Sequence, residues 1–197
     1  MGEFLSQDSL VNRMLAAIMI ADVAGFSRLM ERNESLTFAR LRRLREEVYF
    51  PKVDEHGGRV IKTTGDGFLA VFSSAVAAVK CGMEIQRSIT DLESTQHDAD
   101  RIRFRIGINV GDILIDGEDV AGDGVNIAAR LEPLSPVDGI CVSSSVREQI
   151  RGDLGIGFED MGEQVVKNIS RPIRAYAVKA SSDIIIELSI INDITKG

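Results

Sequence analysis

Two cysteines and two histidines are all the soft metal ligands this 197-residue chain has. Cys81 falls inside a helical pattern and Cys141 inside a strand-like run, so the expectation is two core thiols rather than a disulfide. Neither belongs to a CxxC pair, and His56 and His97 stand alone in polar loop sequence. Basic charge is short as well. Against 30 Asp and Glu there are 23 Lys and Arg, a formal charge of −7, and no basic stripe that would displace counterions from a polyanion. Nucleic acid is therefore not an expected partner, although a nucleotide remains open where a divalent metal supplies the positive charge. No apolar run approaches the ~20 residues of a membrane span, and the N-terminus lacks a signal-peptide layout, so the domain is expected in the cytoplasm. Internal repeats and low-complexity linkers are missing too.

What remains is the composition of an ordinary globular domain, 44% hydrophobic and 27% charged, long enough to bury a sizeable core. Residues 1–13 read as an extension, 14–180 as the domain and 181–197 as a tail. The continuous apolar run Ala16–Ala21 is that of a central buried strand, and it ends in Asp22. Asp22 fits a helix N-cap, because Val23-Ala24-Gly25-Phe26-Ser27 starts a turn; it also fits a carboxylate at the mouth of a strand, followed by amides able to hold phosphate oxygens. Ser35–Asp54 has helical spacing. Val60–Phe72 contains two apolar runs around Thr63-Thr64-Gly65-Asp66-Gly67, a β-hairpin with a carboxylate at its tip and glycines that leave room for a ligand near the main chain. Such a tip is also an ordinary polar turn.

Ala75–Glu93 is expected to be a long amphipathic helix. From Ile102 to Val110 apolar residues alternate with Arg103, Arg105, Gly107 and Asn109, the pattern of a half-buried strand; Gly111-Asp112 then suggests a turn into Ile113–Ile115. The acidic stretch 116–124 fails as a calcium loop, because its glycine and glutamate miss the required positions. Asn126 and Arg130, four apart on the next helical run, share one face. A strand near 139–142, a short helix from Ser144 to Arg151 and a closing strand at Ile173–Val178 complete the domain. The tail includes Ile184–Ile191, too short to span a bilayer.

Taken in order, Ile20-Ala21-Asp22-Val23-Ala24-Gly25-Phe26-Ser27, Lys62-Thr63-Thr64-Gly65-Asp66 and Asp119-Val120-Ala121-Gly122-Asp123-Gly124-Val125-Asn126-Ile127-Ala128-Ala129-Arg130 resemble the catalytic domain of the class III adenylate and guanylate cyclases. Arg105-Ile106-Gly107-Ile108 and Gly111 match that family as well. The resemblance covers about residues 14–180. It implies an α+β fold with a ferredoxin-like βαββαβ core and a mostly antiparallel sheet. By the same resemblance Asp22, Asp66 and the Val23 carbonyl would bind two divalent ions, Mg²⁺ or Mn²⁺. Gly25, Phe26 and Ser27 offer the amides for phosphate oxygens, and Lys167 and Arg171, in the loop before the closing strand, could reach a triphosphate tail, although exposed loop cations are usually only solvated. Lys62 and Asp119 would select the base, Asn126 would orient the ribose, and Arg130 would stabilise charge at the α-phosphate. Two metals about 3.5–4 Å apart would activate the ribose 3′-hydroxyl for in-line attack, giving cyclic AMP and pyrophosphate.

Donor and acceptor counts then favour ATP. Lysine is donor-only and aspartate acceptor-only, which complements the ring nitrogen and amino group of adenine and mismatches guanine. In the family the site is shared between subunits arranged head to tail, so one chain carrying all six groups would form a homodimer with two sites. Ala121 departs from the pattern, standing where relatives commonly have a bulkier residue. The alternatives are a silent nucleotide-binding regulatory module and a guanylate cyclase; a diguanylate cyclase, suggested by Thr64–Phe68, lacks the glutamate that should follow.

Overall fold

A computed structural model describes residues 12–116, 119–152, 155–165 and 172–180, with Asn12, Asp116, Asp119 and Ala180 described by their backbone alone. Its centre is β1 (Asn12–Val23), flanked in antiparallel fashion by β3 (Gly67–Phe72) and β4 (Phe104–Asp116). The strand order is β2-β3-β1-β4-β6-β8-β7, where β2 is Arg59–Thr64, β6 Ile140–Ser143, β7 Ile156–Gln164 and β8 Ile173–Ala180. The short β5 (Asp119–Ala121) folds back on the end of β4. Only the β4–β6 pairing is parallel among the described strands. The mixed α+β architecture with a mostly antiparallel sheet is the one expected.

Both faces of β1 are buried, which is why its sequence is an unbroken apolar run. Ala17, Met19 and Ala21 face a large core with Phe68, Phe104, Ile106 and Ile108, closed by α1 (Phe26–Leu44), α2 (Phe50–Glu55) and α3 (Ala75–Glu93). Ala16 and Ile18 face a smaller core with Leu69, Ile113 and Val120, closed by α4 (Asp123–Leu131). The last helix, α5 (Ser144–Ile150), is capped by the Ser143 hydroxyl, which accepts from the Val146 N–H. Cys81 and Cys141 are buried and unpaired, and burial pushes both thiols up to about 12.

Three local readings change. The helix expected from Ser35 is preceded by further turns from Phe26; the two stretches break at Asn33, whose side chain accepts from the Leu36 N–H at 3.0 Å. A π-turn at Arg45–Tyr49 then separates it from α2. Gly111-Asp112 is not a turn, since β4 runs straight through to Asp116. Gly111 is small for another reason: a Cβ there would lie 2.9 Å from the Gly124 Cα of α4. Finally, the polar side of β4 is not open to water in its middle. Gly107 and Asn109 are buried under α4, with Asn109 Nδ2 donating to the Gly124 carbonyl at 3.1 Å. Alternate glycines on one strand face make a flat bed on which a helix backbone can lie.

Candidate functional site

Asp22 is the last but one residue of β1, and Asp66 sits at the tip of the β2–β3 hairpin. The hairpin closes through Thr64 paired with Gly67, with Gly65 in the left-handed region at φ 59. Behind the tip, Phe68 stacks flat on Tyr49 of the π-turn, ring centroids 4.5 Å apart, and the Tyr49 hydroxyl accepts from Arg45 Nε. That buried stack ties the hairpin to the helical layer. Gly67 leaves no room for a ligand. A Cβ on it would fall 2.2 Å from the Ala21 carbonyl and 2.7 Å from Asp22 Oδ1, so the space is used to press the hairpin against the end of β1.

The consequence is a pair of carboxyl groups within hydrogen-bonding reach of each other. Burial first, then the charge of Asp66, raises the Asp22 carboxyl from 3.8 to about 6, partly opposed by the Val23 N–H and Arg105. Asp22 does not cap α1. The cap is Gly25, in the left-handed region, and no side chain fills that role. Two acids pressed together in a half-buried setting are held at a cost that a divalent cation would relieve, so the donor set fits a hard metal. Among the described residues no third carboxylate, thiolate or imidazole lies close enough to share a metal ion with them.

Arg105 is the β4 partner of Asp22, on the same face, and its Nε is buried without an acceptor. Glu132, just beyond α4, completes the electrostatic group. Burial and the charge of Asp22 raise its carboxyl to about 7, against the pull of Arg105. Gly107 brings it there, since a Cβ at 107 would lie 2.3 Å from the Glu132 nitrogen and 2.5 Å from the Ala128 carbonyl. Sequence reasoning assigned no role to Glu132. Its signal was position, two residues past Arg130 and opposite the one glycine between Arg105 and Asn109.

Asn126 and Arg130 lie on the exposed side of α4. Lys62 is exposed on β2, and β2 touches β5, which carries Asp119, so the backbone brings the two base-selecting candidates to one edge of the sheet. Gly25, Phe26 and Ser27 form the first turn of α1, next to Asp22. Ala121, at the end of β5, is exposed. Lys167, Arg171, the Asp119 side chain, the leading residues 1–11 and the tail 181–197 lie outside the described residues. No helix among the described residues is long and apolar enough to cross a membrane.

A family model described as the adenylate and guanylate cyclase catalytic domain matches residues 13–180. Putative adenylate cyclase 3 of Rhizobium meliloti (strain 1021) is 43% identical over 166 residues, covering 84% of this chain and 28% of that protein. An adenylate cyclase of Streptomyces coelicolor is 32% identical over 143 residues, covering 73% of this chain and 36% of its own length. The chain thus spans well under half of these relatives. Among solved structures, an adenylate/guanylate cyclase/hydrolase from Silicibacter pomeroyi superposes with a TM-score of 0.80 at 46% identity, covering 85% of this chain and 97% of that one. The adenylyl cyclase CyaB from P. aeruginosa gives 0.76 at 27% identity, covering 86% and 95%.

Proposed function

Because the chain belongs to the adenylate and guanylate cyclase catalytic-domain family, we propose that it converts ATP to 3′,5′-cyclic AMP and pyrophosphate as a head-to-tail homodimer in the cytoplasm. The observation that carries the reading is the convergence of Asp22 and Asp66, two carboxyl groups that repel each other beside an arginine-lined cavity. Asp22, Asp66 and the Val23 carbonyl would hold two Mg²⁺ or Mn²⁺ ions, which when bound supply Lewis acidity at the ribose 3′-hydroxyl and neutralise phosphate charge.

The remaining work falls to the chain's own groups. Amides of the Gly25–Ser27 turn and Lys167 hold phosphate oxygens. Lys62 donates to the adenine ring nitrogen and Asp119 accepts from the amino group, the pairing that favours ATP over GTP. Asn126 orients the ribose, and Arg130 stabilises charge as the 3′-oxygen bonds to the α-phosphorus and the bond to pyrophosphate breaks. Asn126 and Arg130 stand exposed on α4, while the cation facing Asp22 within the chain is Arg105. Exposed transition-state groups are what a site completed by a second copy requires.

The test is product identity with ATP and with GTP, in Mg²⁺ and in Mn²⁺, across protein concentration. Cyclic AMP with specific activity rising on dimerisation supports the proposal. Cyclic GMP as main product would transfer it to guanylate cyclase, and nucleotide binding without either product would indicate a silent regulatory module. Mixing inactive Asp66→Ala and Arg130→Ala chains restores activity if sites are shared; continued inactivity rules sharing out.

A further inference from the structure

The helical rod Ser35–Glu55 closes the core on the face of the sheet away from α4. Its inner side buries Leu41, Leu44, Val48 and Val53. Its outer side keeps two large rings in water, Phe38 at 60% exposure and Phe50 at 40%. Between them stand Arg42 and Glu46, paired at 2.9 Å, with Arg43 and Glu47 paired alongside at 2.9 Å. A shallow hollow of ≈ 400 Å³ adjoins Phe38, lined by Ser35, Ala39, Arg42, Arg43 and Glu46. Exposed aromatic rings framed by arginine have the composition of an interface core rather than of an idle surface.

Phe38, Arg42, Glu46 and Phe50 follow one another at four-residue steps. In a plain α-helix such a row winds about 40° round the axis per step. The π-turn, in which the Phe50 N–H donates to the Arg45 carbonyl five residues back, inserts one residue and takes back about 100°. The four side chains therefore keep to one line, about three turns long. Read from either end, the line is ring, charge, opposite charge, ring. A second rod laid antiparallel on it sets ring against ring and each Arg42 against a Glu46. A surface of one sign meets a like charge at one of the two positions, and a stripe without net charge does not attract an anionic membrane.

We propose that this stripe is a self-association surface, on which the rods of two copies of the chain pack antiparallel about a two-fold axis near Leu44. The inference is independent of the cyclase reading, because Asn126 and Arg130 belong to α4 on the other face of the sheet. Both contacts can form at once, so a head-to-tail pair would assemble into a pair of pairs. Each ring loses water on docking, while an exposed ion pair alone adds little; the rings carry the affinity and the charges set the direction. One rod against another is a small interface, and the association is weak.

The test is sedimentation velocity of the 197-residue chain across protein concentration. Wild type should form a species of twice the mass reached by Phe38→Glu, whose dissociation constant for that step should rise at least about tenfold. The Tm of Phe38→Glu should match wild type, since the ring is mostly exposed. A chain with Arg42→Glu and Arg43→Glu, and another with Glu46→Arg and Glu47→Arg, should each stay at the smaller mass alone and regain the larger when mixed. Loss of the intrahelical pairs by itself gives no such recovery. Equal mass for wild type and Phe38→Glu at every concentration, or reversed chains that stay apart when mixed, overturns the proposal. Flotation of wild type with phosphatidylglycerol vesicles, lost in Phe38→Glu while the mass in solution is unchanged, overturns it in favour of a lipid surface.

Discussion

Replacing Asp66 by Asn should make the metal-free protein more stable while abolishing the proposed cyclase activity. Asp22 has a carboxyl raised from 3.8 to about 6, by burial first and by Asp66 second. A raised folded-state value means that the folded chain prefers the protonated acid. Stability linked to Asp22 is therefore present below about 3.8, declines as pH rises through about 6, and is absent above it. Each unit corresponds to about 1.4 kcal/mol, so the full shift has a ceiling of about 3 kcal/mol. Half-burial and solvent screening reduce that, and Asp66→Asn removes only the part due to its charge, leaving a gain on the order of 1 kcal/mol. For a chain of this size that is roughly 2–4 °C in Tm. The assay is thermal unfolding in EDTA at pH 4 and pH 8. The variant should melt higher than wild type at pH 8 and level with it at pH 4, and Mn²⁺ should raise the wild-type Tm more than that of the variant. Equal destabilisation of Asp66→Asn at both pH values would refute the idea that the carboxyl groups repel in the folded chain.

Three further outcomes follow from the same geometry. Gly107→Ala sets a Cβ against backbone atoms of Glu132 and Ala128, which cannot swing aside; it should cost about 1–3 kcal/mol in urea unfolding and lower activity at temperatures where the variant remains folded, because α4 carries Asn126 and Arg130. Phe68→Ala removes the fully buried ring that stacks on Tyr49 and should cost about 3–5 kcal/mol, read as a fall in the urea midpoint. Glu132→Gln removes a carboxyl raised to about 7, whose linked stability is present below about 4.5 and lost as pH rises through 7; metal-free Glu132→Gln should thus gain on the order of 1 kcal/mol at pH 8, lessened by the loss of its attraction to Arg105, and nothing at pH 4.

Much of the fold is legible along the chain because its signals are local. An apolar run with no alternation specifies a strand buried on both faces, and Ala16–Ala21 is one. The hairpin over Val60–Phe72 and the helix over Ala75–Glu93 follow from turn residues and a 3.6-residue period in the same way. What misleads is any position whose reason lies in another element. Gly111 reads as a turn but serves the approach of Gly124. Gly107 and Asn109 read as a solvated face but lie beneath α4. Gly67 reads as space for a ligand but holds the main chain of β1 against the hairpin.

The residue types of the proposed site, and their order, were thus determined by the sequence itself: acids at 22 and 66, a lysine and an aspartate at 62 and 119, and Asn126 with Arg130 one helical turn apart. Only the tertiary structure decided that Asp22 and Asp66 converge and that Arg105 and Glu132 share their field. Backbone propensities act within a few residues, whereas charge repulsion, burial and backbone-to-backbone contact depend on distances in space that folding alone sets.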